Sequence, residues 1–248
     1  KVGKEAYVQP VIEGDGYRFE VRTGQPPEGA KNGTKLARAN FACLLSGTPI
    51  AGEYIKAEGK AGRIGTKLMA IVAEGARSRV YLTPTQEHEA IALQARPTWR
   101  PEGDIPTRMT GGNCTPYGMT AWGDLFTPRQ LVALSTFSDL VSEAIVRIRA
   151  DAQAAGMADD GRRMDEGGDG ATAYSEAIGV YLGFAIDRLV MTGNSLVRWN
   201  GVGEKAQHCF GRQGLPMLWD FAEPNFLADA TGSLSAAIFY SHDPIGWL

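Results

Sequence analysis

Residues 127–155, TPRQLVALSTFSDLVSEAIVRIRADAQAA, constrain this chain more than any other stretch. Thr127 offers a side-chain oxygen to the free amides of a first turn. Pro128 has its φ preset for the first helical position, and Gly156 stands just past the last helix former. Leu131, Leu134, Phe137, Val141, Ile145 and Ile148 recur at steps of three and four and so share one stripe. Arg129, Ser135, Asp139, Ser142, Glu143, Arg147 and Arg149 fall mostly elsewhere. At the helical rise such a segment runs roughly 43 Å and needs a partner of similar length to bury its stripe. Residues 171–191, ATAYSEAIGVYLGFAIDRLVM, supply that partner. Ala177, Val180 or Tyr181, Phe184 and Leu189 are placed near one face, and Gly179 and Gly183 allow a neighbour to come close.

A chain of 248 residues with 44% apolar content fills one large domain or two modest ones. It contains no apolar run of the roughly 18 to 20 residues a membrane span requires, and its first residues lack the apolar centre of a signal peptide. A soluble, cytoplasmic protein with no membrane partner is expected. Cys43, Cys114 and Cys209 are far apart, so neighbouring residues build neither a disulfide framework nor a complete zinc site. No metal site is expected from this chain alone. Residues 1–108 hold 16 Lys and Arg against 12 Asp and Glu, an excess of +4; residues 109–248 hold 9 against 16, an excess of −7, for a net −3. The front half is the one suited to a polyanion, although an ordinary solvated surface has the same composition.

The alternation from Glu5 to Gly24, broken at Gly14, Asp15 and Gly16, predicts a β-hairpin. Residues 24–40 read as an exposed loop carrying Lys31, Lys35 and Arg38, and Glu53 to Glu58 as one or two helical turns. Gly59, Gly62 and Gly65, interleaved with Lys60, Arg63 and Lys67, suit close approach of a backbone to a phosphate, without matching a Walker loop or a dinucleotide fingerprint. Leu68 to Val72 and Arg79 to Leu82 read as strands around Gly75, with Arg77 and Arg79 near the turn. A short helix follows Thr83 or Thr85 and carries His88 at the surface.

Residues 96–124 are rich in Pro and Gly and form the natural boundary. Trp99, between Arg96 and Arg100, and Tyr117 have the chemistry either to stack on an unstacked base or to pin the loop to a core. Residues 158–170 read as a flexible crossing between the two long helices. Pro216 to Phe221 reads as a buried segment flanked by Asp220, Glu223 and Asn225. Such acids either position a water or cofactor or act as simple caps. His208 beside Cys209 lacks local partners, and His242 with Asp243 is expected at the surface.

Four blocks carry a family resemblance: KAGRIGTKLMAIVAEGARSRVYLTPTQEHE, YGMTAWGDLFTPRQLVALSTFSDLVSEA, ATAYSEAIGVYLGFAIDRL and FGRQGLPMLWDFAEPN. In this order they resemble the central region of the large bacterial adenine-specific DNA methylases described as containing a zinc ribbon, over roughly Tyr7 to Asn225. The resemblance implies an S-adenosylmethionine-dependent N6-adenine DNA methyltransferase with a Rossmann-like catalytic fold and a long insertion. Such enzymes act through a glycine-rich loop and an Asp/Asn-Pro-Pro-Tyr segment that grips a flipped base. This sequence has no Pro-Pro-Tyr, its one Pro-Pro is Pro26-Pro27 before Glu28, and it has no F-x-G-x-G loop. Cys43-Leu44-Leu45-Ser46 holds only one of the two thiols of a zinc knuckle.

The expectation is therefore an internal or truncated module that positions DNA, with no catalytic residue and no cofactor of its own. S-adenosylmethionine is implied for the full-length family. Arg63, Lys67, Arg77, Arg79, Trp99 and Arg100 are the DNA-binding candidates, and Asp220, Glu223 and Asn225 the cofactor-proximal ones. The expected fold class is α+β: a β-rich module over residues 1–98, a linker over 99–124, and a helical module with two long packed helices over 125–248. The partners are DNA and, through the helical part, the remaining methyltransferase core or another chain. The alternative is an interaction module of a larger assembly without nucleic-acid contact, in which the stripe from Leu131 to Ile148 meets a second chain.

Overall fold

The computed structural model describes residues 5–211 and 213–242, the last of these by its backbone alone, so the side chain of His242 and all of Asp243 lie outside the described residues. The fold is α+β, with small antiparallel hairpins and two long packed helices. The chain divides into two compact units, Lys1–Ala95 with Asn113–Met119, and Arg96–Gly112 with Thr120–Leu248. The expected linker is thus shared out between them.

In the first unit, β1 (Ala6–Glu13) and β2 (Gly16–Thr23) pair in full register from Ala6↔Thr23 to Glu13↔Gly16. The turn closes because Gly14 takes φ 62°, a conformation side chains resist. The two-residue strands β3 (Phe41–Ala42) and β4 (Pro49–Ile50) flank a turn closed by Cys43 N–H on Thr48 O at 2.9 Å and Gly47 N–H on Cys43 O at 2.8 Å. Helix α1 (Gly52–Lys60) ends where Gly62, at φ 68°, donates to Gly59 O and Arg63 N–H donates to Glu58 O, both at 2.9 Å. Strands β5 (Ile71–Glu74) and β6 (Arg79–Leu82) form the third hairpin; β5 starts three residues later than the sequence suggested, as Leu68 to Ala70 carry no ladder. Helix α2 (Gln86–Ala92) is capped by Thr85, and the ring Nδ1 of exposed His88 accepts from Thr85 N–H at 3.1 Å, the reciprocal half of the cap.

The second unit is built on α3 (Pro128–Ala154) and α4 (Ala171–Thr192). Thr127 caps α3 as its sequence position dictates, and Gln130 Oε1 accepts from Thr127 N–H at 2.8 Å. At the other end Gly156 N–H reaches Gln153 O and Met157 N–H reaches Ala152 O, both at 3.0 Å. Leu134 of α3, Ala185 and Leu189 of α4, Phe226, and Ala237 of α5 (Leu234–His242) form the core, with Phe137 edge-on to Phe226 at 6.1 Å. A Cβ at Gly179 would stand 2.6 Å from Ile145 Cδ1, so this glycine brings the two long helices together, whereas Gly183 faces open space. Helix α3 packs along α4, and of its stripe Leu131 and Leu134 are buried while Phe137, Val141, Ile145 and Ile148 are half-buried.

Three expectations fail here. On α4 the buried positions are Ala171, Thr172, Ala173, Ser175, Gly179, Ala185 and Leu189, while Val180, Tyr181 and Phe184 are exposed. An almost uniformly apolar helix gives no contrast from which to read its face. The crossing at 158–170 is tied down: the Asp159 carboxylate accepts from Gln153 Nε2 at 2.7 Å, Thr172 Oγ1 at 3.0 Å, and the amides of Thr172 and Gly161 at 3.1 Å. Pro216 to Phe221 is not buried, since Trp219 and Asp220 face solvent. The segment is pinned at its ends by Leu215 N–H on Met109 O at 2.6 Å and Ala222 N–H on Val197 O at 2.7 Å, and Phe221 bridges Arg198. The hairpin of β7 (Arg198–Asn200) and β8 (Lys205–Gln207), and α5 itself, carried no sequence expectation. No helix among the described residues is long and apolar enough to cross a membrane.

Candidate nucleic-acid interface

The six DNA-binding candidates separate by whether a carboxylate already holds them. Arg63 follows the Gly62 turn that ends α1, and this places its guanidinium on Glu58, with Nε and a terminal nitrogen each 2.7 Å from a carboxylate oxygen. The hydrogen bonds that Arg63 donates to the Glu58 carboxylate lower the Glu58 pKa and raise the Arg63 pKa. Lys67 Nζ lies 2.8 Å from Glu89 of α2. Arg100 lies 2.6 Å from Asp124, and its guanidinium rests on Gly123, where a Cβ would collide with it. Burial raises the Asp124 pKa, but the amides of Ala121 and Thr120 and the Arg100 guanidinium outweigh it, so the carboxyl titrates below its ordinary range.

Arg77 and Arg79 differ. They flank Ser78 at the β5–β6 turn, Arg77 exposed and Arg79 half-buried, and neither has an ion-pair partner among the described residues. Glu74 stands opposite Arg79 in the register without bridging to it. Trp99, in the second unit, is 58% exposed.

The glycines around Arg63 do not cradle an anion. At Gly59 a Cβ would stand 2.7 Å from the Tyr117 carbonyl carbon, and at Gly118 it would meet the backbone of Gly59. The close approach these residues permit is made by the chain's own 117–118 backbone. Gly62 serves as the stop of α1, and Gly65 meets nothing within 4 Å. Tyr117, half-buried beside this contact, already has a partner.

Of the three cofactor-proximal candidates, Glu223 and Asn225 have structural partners. Glu223 receives Arg129 in a fork at 2.8 and 2.9 Å and the Thr127 hydroxyl at 3.4 Å, which fastens the C-terminal segment to the start of α3. Asn225 Oδ1 accepts from Leu227 N–H at 3.0 Å, a local turn, and Asp220 is exposed. Glu223 and Asn225 line an open depression of about 350 Å³ together with Arg129, Ala133 and Phe137; Asp220 does not line it. A carboxylate held by an arginine fork is a strut rather than a free base.

The thiols also diverge. The Ser46 hydroxyl, then the amides of Ser46 and Leu45, lower the Cys43 pKa, whereas burial pushes Cys114 up to about 11 and raises Cys209. No group of three His, Cys, Asp or Glu among the described residues has the geometry to hold a metal ion. No family model, curated protein or solved structure matches this chain.

The sequence did not distinguish paired from unpaired cations because the partners of Lys67 and Arg100 lie 22 and 24 residues away. Glu58, five residues before Arg63, was the one local signal.

Proposed function

We propose that this chain is the DNA-positioning part of an S-adenosylmethionine-dependent adenine-specific DNA methyltransferase, with the β5–β6 turn as its point of contact. The observation that carries the contact is electrostatic. Arg77 and Arg79 are presented on a narrow hairpin without a counter-ion among the described residues, while Arg63, Lys67 and Arg100 are each already neutralised. A cation with no internal partner gains most when it meets a phosphate and releases a condensed counterion. Because the sequence holds neither Pro-Pro-Tyr nor an F-x-G-x-G loop, methyl transfer and the methyl donor are assigned to the remaining methyltransferase core.

The face of α4 bearing Val180, Tyr181 and Phe184 supports a protein contact in addition, to that core or to another chain. An interaction module without DNA contact is the rival reading. Anisotropy of a labelled duplex separates them. Binding is expected at low salt, weakened by Arg77→Ala with Arg79→Ala and unchanged by Arg149→Ala on α3. A flat titration with folded protein would exclude the DNA reading. Radiolabel passing from S-adenosylmethionine to duplex with this chain alone would exclude the purely supporting role.

A further inference from the structure

Resting on the reading that the β5–β6 hairpin meets DNA, we infer that it recognises a G·C pair from the major groove, with Arg79 on guanine and Glu74 on cytosine. The two residues are register partners at the end of the ladder next to the turn. Opposed residues of an antiparallel pair share one face with their Cβ atoms about 5 Å apart, a separation from which Arg and Glu readily bridge. In the same unit Arg18, Arg22, Lys56, Arg63 and Lys67 are all held by carboxylates. Glu74 and Arg79 are not, and neither side chain has another partner among the described residues. The pair therefore presents a two-pronged donor and an acceptor side by side, both unspent.

Guanine offers O6 and N7 as two adjacent acceptors, which a guanidinium fork takes together, and its cytosine offers the N4 hydrogen to a carboxylate; an A·T pair has no place where the fork makes two bonds. Dimensions select the groove. Gly75 lets the two arms close on each other at the tip, since a Cβ there would stand 2.6 Å from Ser78 O and 2.9 Å from Val80 Cγ1. A ribbon of two strands about 4.8 Å apart enters the major groove, about 12 Å wide, and not the minor groove, about 6 Å wide. Exposed Arg77, within the four-residue loop, is left to the phosphates, where it also offsets the repulsion between Glu74 and the DNA backbone.

The test compares the affinity of the full chain for short alternating dG-dC and dA-dT duplexes at one fixed salt concentration. The wild type is expected to bind the dG-dC duplex about 10-fold more tightly. Arg79→Lys keeps the charge but loses the fork, and should bring the ratio close to one, as should 7-deazaguanine in the duplex with the protein unchanged. Glu74→Gln should lower the ratio in part. Equal wild-type affinity for both duplexes overturns the inference and leaves the DNA reading standing. So does a dG-dC preference that survives both Arg79→Lys and 7-deazaguanine. Absence of binding to either duplex at low salt removes the DNA reading and this inference with it.

Discussion

Asp124 shows how one carboxylate decides the fate of a distant cation. One oxygen receives Arg100 at 2.6 Å, and the other receives the amides of Thr120 and Ala121 at 2.9 and 2.8 Å. The Pro- and Gly-rich stretch around it has little regular structure, so these bonds replace a ladder. Arg100 is thereby a clamp on its own loop, although its neighbours Trp99 and Arg96 gave it the look of a nucleic-acid contact in the sequence. The carboxyl titrates below its ordinary range in the folded chain, so the unfolded chain binds more protons there. The stability it contributes is complete above the unfolded carboxylate pKa and is lost as pH falls through the lower, folded value. Asp124→Asn is expected to cost about 1–3 kcal/mol at neutral pH, and less as the solution is acidified. Urea midpoints of wild type and variant at neutral and acidic pH check this; a difference that does not shrink on acidification contradicts it.

The two long helices were legible to different degrees. The ends of α3 follow from Thr127, Pro128 and Gly156, because caps act over one turn and are written in adjacent residues. Its partner was legible too, as was the close approach at Gly179. The inward face of α4 was not, since apolar side chains surround that helix and only contacts remote in sequence choose among its sides. Leu189 is fully buried and Phe184 is 53% exposed, though both were placed on one face. Leu189→Ala is therefore expected to cost about 2–5 kcal/mol, and Phe184→Ser about 0.5 kcal/mol or less. Comparable losses for the two in chemical denaturation would mean the outer face of α4 is covered in solution. Gly59 makes the matching case in the first unit. Its glycine spacing suggested phosphate, yet the room is taken by Tyr117, and Gly59→Ala is expected to cost about 1–3 kcal/mol through overpacking, read as a lower urea midpoint.

At the scale of the molecule, the two units bury very different amounts. Among the described residues of the first unit only Gly52 and Cys114 are buried, and its strands form separate two-stranded sheets. The second unit holds the core cluster around Leu134, Leu189 and Phe226, together with Leu196 and Val197, each at most 1% exposed. Isolated two-stranded hairpins are marginal in water, and local opening energies track buried apolar contact. The sequence showed that hairpins would form but not that they would lack a common core, because alternation reports a strand's local pattern and not what lies against it. Amide hydrogen exchange should therefore reveal two levels of protection in the free chain. The amides of β1, β2, β5 and β6 are expected to exchange through low-energy local opening, while the centres of α3 and α4 exchange only near the global unfolding energy. Adding duplex should slow exchange in β5 and β6 first, since a ligand that binds only the closed hairpin stabilises it in proportion to its occupancy. Equal protection of the hairpins and the long helices without DNA would show that the first unit is held by more than its own contacts, and would shift the stabilising role from DNA to a protein surface.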